Sequence, residues 1–215
     1  KPSLDFIPYL YTPLYPAILA LLSFVFPLGY GLGRLVSLLA FTSSLLVLGL
    51  LVHEEARYLP RRSRWPALLV AVVGAAAVVA SFVFTGGFYD LVRADSMLLA
   101  LQALALWLIW RGHTWKSAAW AGVVIALGFF SKQTASVVGV GLGLGLLAVN
   151  WRRALVYGAF AAGVLAAGLA FLNLTSRGWF WTYIFELHQS HAPRWAAGYK
   201  GALPEIAKHA WPVFA

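Results

Sequence analysis

GLGRLVSLLAFTSSLLVLGLLV, residues 31–52, carries a single charged side chain, Arg34. Its apolar residues run on continuously. They do not alternate as they would in a barrel strand, nor do they leave a polar helical face for water. About 20 such residues cross the hydrocarbon core of a bilayer as an α-helix. Outward from this stretch lie further apolar runs, at about 13–28, 66–85, 95–110, 117–131, 135–149 and 154–174. The runs starting at 66 and 154 are as long as a span requires. Those starting at 95, 117 and 135 need flanking residues to reach that length. The run 13–28 carries Pro13, Pro16 and Pro27, so it reads either as a span or as a helix lying on the membrane surface. The expected fold is an all-α, polytopic membrane helix bundle of about six transmembrane helices.

Composition agrees. The chain is 61% hydrophobic and 11% charged, with a mean hydropathy of +0.79. A soluble domain is nearer one-quarter charged. Cysteine is absent, which excludes disulfides and thiolate metal sites. The net charge of +9 is better spent on orientation than on nucleic acid. Arg57, Arg61, Arg62 and Arg64 lie between His53 and Trp65, Arg111 and Lys116 bound a second short connection, and Arg152 and Arg153 close a third. Together these hold half of the 16 Lys and Arg. They fall at every second connection, as positive-inside loops do, and are therefore expected to be cytoplasmic. The alternation places the Asp90–Asp95 loop, Lys132 and the segment after Thr175 on the outer face of a multi-pass plasma (inner) membrane protein. Two regions are expected: a transmembrane module with outer loops over 1–174, and the start of an aromatic-rich outer loop or juxtamembrane helices over 175–215. The chain begins at Lys1 without a methionine, and is expected to be a piece of a longer protein.

Only seven residues are acidic. Two of them, Asp90 and Asp95, flank Arg93 at the mouth of a span. A carboxylate there can hold a divalent cation or accept a proton from an attacking hydroxyl. It can also simply cap a helix, and Asp95 stands where the N-cap of the next run would be. Arg93 either pairs with one of the acids or holds a phosphate. Lys132, in GFFSKQT (128–134), and Arg34, opening the run 31–52, are candidate anion ligands or headgroup anchors. Glycine at 139, 141, 143 and 145 reads as a close-packing surface rather than a phosphate loop. His188 and His191 make only a weak metal signal.

Five segments together resemble one family. PYLYTPLYP (8–16), GRLVSLL (33–39), YDLVRADS (89–96), the Gly-rich stretch from Gly122 to Lys132, and GWFWTY (178–183) are similar, in order and spacing, to motifs of GT-C glycosyltransferases. The closest resemblance is to the bacterial branch that includes aminoarabinose transferases and protein O-mannosyltransferases. It implies transfer of a sugar from a polyprenyl-phosphate donor, on the outer membrane face, to a glycan, lipid or protein acceptor. It also implies that Asp95 is the second-loop acid, binding metal or acceptor, with Asp90 beside it. Lys132, Arg34 and Arg93 become candidates for the lipid phosphate, and Tyr11 and Tyr15 for substrate contact. The segment from Pro13 becomes a juxtamembrane helix. The main catalytic acid of the family is expected upstream of Lys1, since Asp5 is the one acid left in that loop. A multi-span transporter and a non-catalytic membrane subunit are the competing readings.

Overall fold

The computed structural model describes residues 12–80 and 91–186, with Pro204, and every regular element among them is helical. The chain runs through α1 (Leu14–Leu22), α2 (Tyr30–Ala56), α3 (Arg61–Ala80), α4 (Asp95–Arg111), α5 (Trp115–Ser131), α6 (Ala135–Val149) and α7 (Trp151–Thr175). A single turn, α8 (Trp179–Trp181), and a π-helical turn over Thr182–Glu186 follow. The remainder of the aromatic tail, with His188 and His191, lies outside the described residues.

α4 packs between α2 and α5, and α5 lies along α7. α6 leans on α7 and α5, while α3 touches α2. Small residues make these contacts close: Ala105, Ala118, Ala121 and Ala126 are fully buried. Tyr157 of α7 fills the gap between α5 and α6, and its hydroxyl donates to the Gly139 carbonyl at 2.8 Å. The outside of the bundle is apolar as well. Val137, Val140, Leu144, Leu155 and Phe171 all stand out from it, Val137 with 75% of its surface exposed. In water such a surface would be an aggregation site. Against acyl chains it is the proper coat.

Local signals set the helix ends. Thr114 caps α5, accepting from the Ser117 N–H at 3.2 Å, and Asn150 caps α7, accepting from the Arg153 N–H at 3.1 Å. α7 stops where Arg177 and Gly178 take positive φ, and the Gly178 N–H closes back on the Asn173 carbonyl at 2.8 Å.

Several expectations change. The run 13–28 is helical only over nine residues of α1, about 14 Å, too short to cross a bilayer. α2 does not stop at residue 52. It continues through Glu54 and Glu55 to Ala56, because those acids find partners on α4: Arg111 at 3.3 Å and the Trp110 indole at 2.7 Å. The first basic loop shrinks accordingly, and Arg61 already belongs to α3. Among the described residues two helices, α2 and α7, are long and apolar enough to cross a membrane by themselves, whereas α5 and α6 have 17 and 15 residues. The glycine run divides. On a helix, alternate residues turn through about 200°. A Cβ on Gly143 would touch Tyr157 at 3.3 Å and one on Gly139 would meet Ile125 at 3.0 Å, but Gly141 and Gly145 face open space. Half of the run is a packing surface.

Candidate functional site

Asp95 is the first residue of α4. It does not stand at the N-cap; Ala94 holds that position and makes no side-chain capping bond. Its carboxylate reaches across to α5 instead. Lys132 Nζ lies 2.5 Å from Asp95 Oδ1, and Arg93 Nε lies 3.2 Å from Asp95 Oδ2. All three side chains are between 20% and 34% exposed, so the group sits in the surface at the mouth of the bundle. Lys132 arrives there because α5 ends at Ser131, and the Lys132 backbone turns extended while still donating to the Gly128 carbonyl.

The loop that presents Arg93 and Asp95 is held from three helices. From α2, the buried Ser37 hydroxyl donates to the Leu91 carbonyl at 2.7 Å. From α1, the Tyr15 hydroxyl meets Ser37 Oγ at 2.9 Å and the Gly33 carbonyl at 2.8 Å. From α5, the fully buried Ser131 donates to the Ala94 carbonyl at 3.1 Å. Gly33 leaves the space that the Val92 side chain fills; a Cβ there would stand 2.5 Å from Val92 Cγ1. Thr12 pins the last turn of α5 from the other side, donating to the Phe129 carbonyl at 2.6 Å. Thr12 thereby satisfies a carbonyl in the last turn of α5, whereas the Leu91 and Ala94 carbonyls accept a side-chain hydroxyl in addition to the Arg93 and Leu98 N–H groups.

Tyr15, expected at a substrate surface, is 2% exposed, and its hydroxyl is taken up inside the fold. Burial pushes its phenol above the usual range, and the hydrogen bond with Ser37 opposes this in part. A raised value keeps the phenol protonated through neutral pH, so it works as a neutral strut. Arg34 lies on the exposed side of α2, next to Gly33. Asp90 and Tyr11 lie outside the described residues. Ser131, which the sequence offers as a further donor beside Lys132, instead holds the loop, and Thr12, Gly33 and Ser37 are site residues that the sequence does not single out. Their signal was small or hydroxyl side chains inside apolar runs, and Gly33 and Ser37 stand in GRLVSLL.

An aromatic wall stands beside the group. Phe185 stacks on Phe129 at 6.5 Å between centroids, and Trp181 packs on Phe185 at 4.4 Å. The tail turns back this way because Asn173 and Ser176 accept from the Trp181 and Phe180 N–H groups, at 3.1 and 2.8 Å. The GWFWTY motif is thereby carried to the end of α5 that Lys132 terminates.

Among the described residues two cations share one carboxylate, and the three side chains together sum to +1. That suits an anion. Asp95 by itself, with a cation on each oxygen, is a poor ligand for a divalent cation, and the described residues hold no group of three His, Asp or Glu that could enclose a metal.

The model of glycosyltransferase family 87 matches residues 9–202, which include all the residues of this site. No curated protein and no solved structure matches the chain. The match takes in nearly the whole of a helical chain whose outer surface is apolar, and the chain therefore belongs to glycosyltransferase family 87.

Proposed function

We propose that the chain transfers a sugar from a polyprenyl-phosphate donor at the membrane face carrying Asp95, Lys132 and Arg93. The observation that carries this reading is the net-positive cluster, with Asp95 2.5 Å from Lys132 and 3.2 Å from Arg93. A donor phosphate takes its hydrogen bonds from the two cations. An acceptor hydroxyl attacks the anomeric carbon, the sugar–phosphate bond breaks, and the phosphate leaves with the bonding electron pair. Lys132 and Arg93 stabilise the charge that develops on it. In this cluster both Asp95 oxygens are bound to cations. The role of Asp95 in this reading is to hold the two cations at their spacing. The base that receives the acceptor proton is another carboxylate. No divalent cation is assigned.

The reading includes a GT-C type topology of about six crossings, with the basic connections in the cytoplasm and the cluster outside. What supports it is the gathering of Glu54, Arg111 and Arg153 at one end of α4 and of Arg93 and Lys132 at the other. Family membership favours the transferase over the transporter.

The test is sugar transfer from a polyprenyl-phosphate sugar by the membrane-embedded protein. Asp95→Asn is expected to lower transfer by about tenfold or more while insertion is unchanged. Lys132→Ala is expected to raise KM for the donor more than for the acceptor. Unchanged transfer in Asp95→Asn, or equal effects on both substrates in Lys132→Ala, sinks the assignment.

A further inference from the structure

At the opposite end of α4, about 24 Å along the helix from Asp95, a cavity of about 790 Å³ opens between α2, α4, α6 and α7. Its mouth and its depth differ in chemistry. Glu54, Glu55, Arg57 and Arg111 stand among its lining, together with Arg153; Leu106, Leu142 and Leu146 form apolar wall. Gly141 and Gly145 line it too, and it is their missing side chains that leave the room.

Arg153 is the anomaly. It is 6% exposed. One guanidinium nitrogen, Nη2, donates to the Ile109 carbonyl at 3.0 Å and also to the Gly112 carbonyl, both at the C-terminal end of α4. This satisfies helix-end acceptors but does not neutralise the charge. Its Nε is buried without a partner. The two acids of the cavity are already engaged, Glu54 with Arg111 and Glu55 with the Trp110 indole. The lining thus holds three arginines against two acids, with one buried cation that no described carboxylate pairs. A buried charge in that position calls for an anion.

We propose that this cavity binds a lipid by its phosphate headgroup, with Arg153 as the principal cation and the Leu142–Leu146 side of α6 as the seat for the first part of an acyl chain. A guanidinium with an unused N–H matches a phosphate oxygen, and a charged mouth above an apolar depth matches an amphiphile. The site is separate from the Asp95 cluster, and the inference does not depend on the sugar-transfer reading.

The experiment is a binding titration of the purified chain, delipidated in an uncharged detergent. The probes are dioctanoyl phosphatidic acid, dioctanoylglycerol and inorganic phosphate. The expected result is saturable binding of the phosphatidate, with the headless lipid and the free ion each weaker by about tenfold or more. Arg153→Gln should weaken the phosphatidate by about tenfold. Because Arg153 also ties α7 to α4, Gly145→Leu is the second variant. Nothing lies within 4 Å of a Cβ at Gly145, so the new side chain fills the cavity with no clash at its root. Loss of binding in Gly145→Leu at an unchanged melting temperature supports the site. Full binding in Gly145→Leu overturns it, as does equal binding of dioctanoylglycerol. Inorganic phosphate binding as tightly as the lipid would keep the anion site but overturn the lipid as its occupant.

Discussion

At the scale of single residues, the site rests on side chains whose chemistry is modest. Ser37 has one hydrogen to give and spends it on the Leu91 carbonyl, so that its oxygen and the Gly33 carbonyl share the single hydrogen of the Tyr15 phenol. Ser37→Ala removes both hydrogen bonds while the Leu91 carbonyl keeps the Arg93 N–H, at a cost of about 1–2 kcal/mol. The expected outcome is a lower melting temperature and a sugar-transfer defect, and Tyr15→Phe should reproduce part of each. Normal melting in Ser37→Ala would mean that the loop is held by packing alone. Asp95 and Lys132 should be coupled: a double-mutant cycle on stability is expected to give about 1–2 kcal/mol, and a value near zero would reduce the pair to a surface contact. Asp95 and Lys132 were legible in the sequence because a charge beside an apolar run is costly and draws attention. Ser37 and Thr12 were not, since a buried hydroxyl looks like any small residue until the carbonyl it serves is known.

Elements supply the precision. α2 and the loop before α4 approach because Gly33 has no side chain where Val92 sits. Gly33→Ala places a methyl 2.5 Å from Val92 Cγ1, and overpacking of this kind costs about 1–3 kcal/mol. Val92→Ala should restore the stability lost in Gly33→Ala, and failure of that rescue in thermal unfolding would rule out the contact as the cause. The glycines of α6 offer a contrast within one helix. Gly143→Ala meets the Tyr157 ring at 3.3 Å, whereas Gly141→Ala meets nothing within 4 Å and gains helix propensity. Melting should therefore rise by a few degrees for Gly141→Ala and not for Gly143→Ala. Composition alone reads those glycines as equivalent. The rotation of the helix and the position of Tyr157 separate them.

For the molecule as a whole, the proposed topology can be tested directly, because the chain contains no cysteine. A cysteine placed at the exposed Thr134, next to the Asp95 cluster, should react with an impermeant maleimide from outside intact cells. One at the exposed His113, beside the cavity, should react only after permeabilisation. The reverse pattern would invert the orientation and move the proposed transfer to the other face.

From the sequence alone came the helical class, the apolar runs that suit a membrane and the candidates Asp95, Lys132 and Arg93. All of these follow from local quantities: the length of an apolar run, the position of a charge relative to it, and the order of short motifs. Contacts between distant segments had to come from the tertiary structure. It turned Asp95 from a helix cap into the partner of Lys132 and Arg93, buried Tyr15 as a strut, extended α2 to its acids and opened a cavity around Arg153. Each of these depends on which helix lies beside which, and that is decided by packing across segments that may stand more than a hundred residues apart, as Thr12 and Phe129 do.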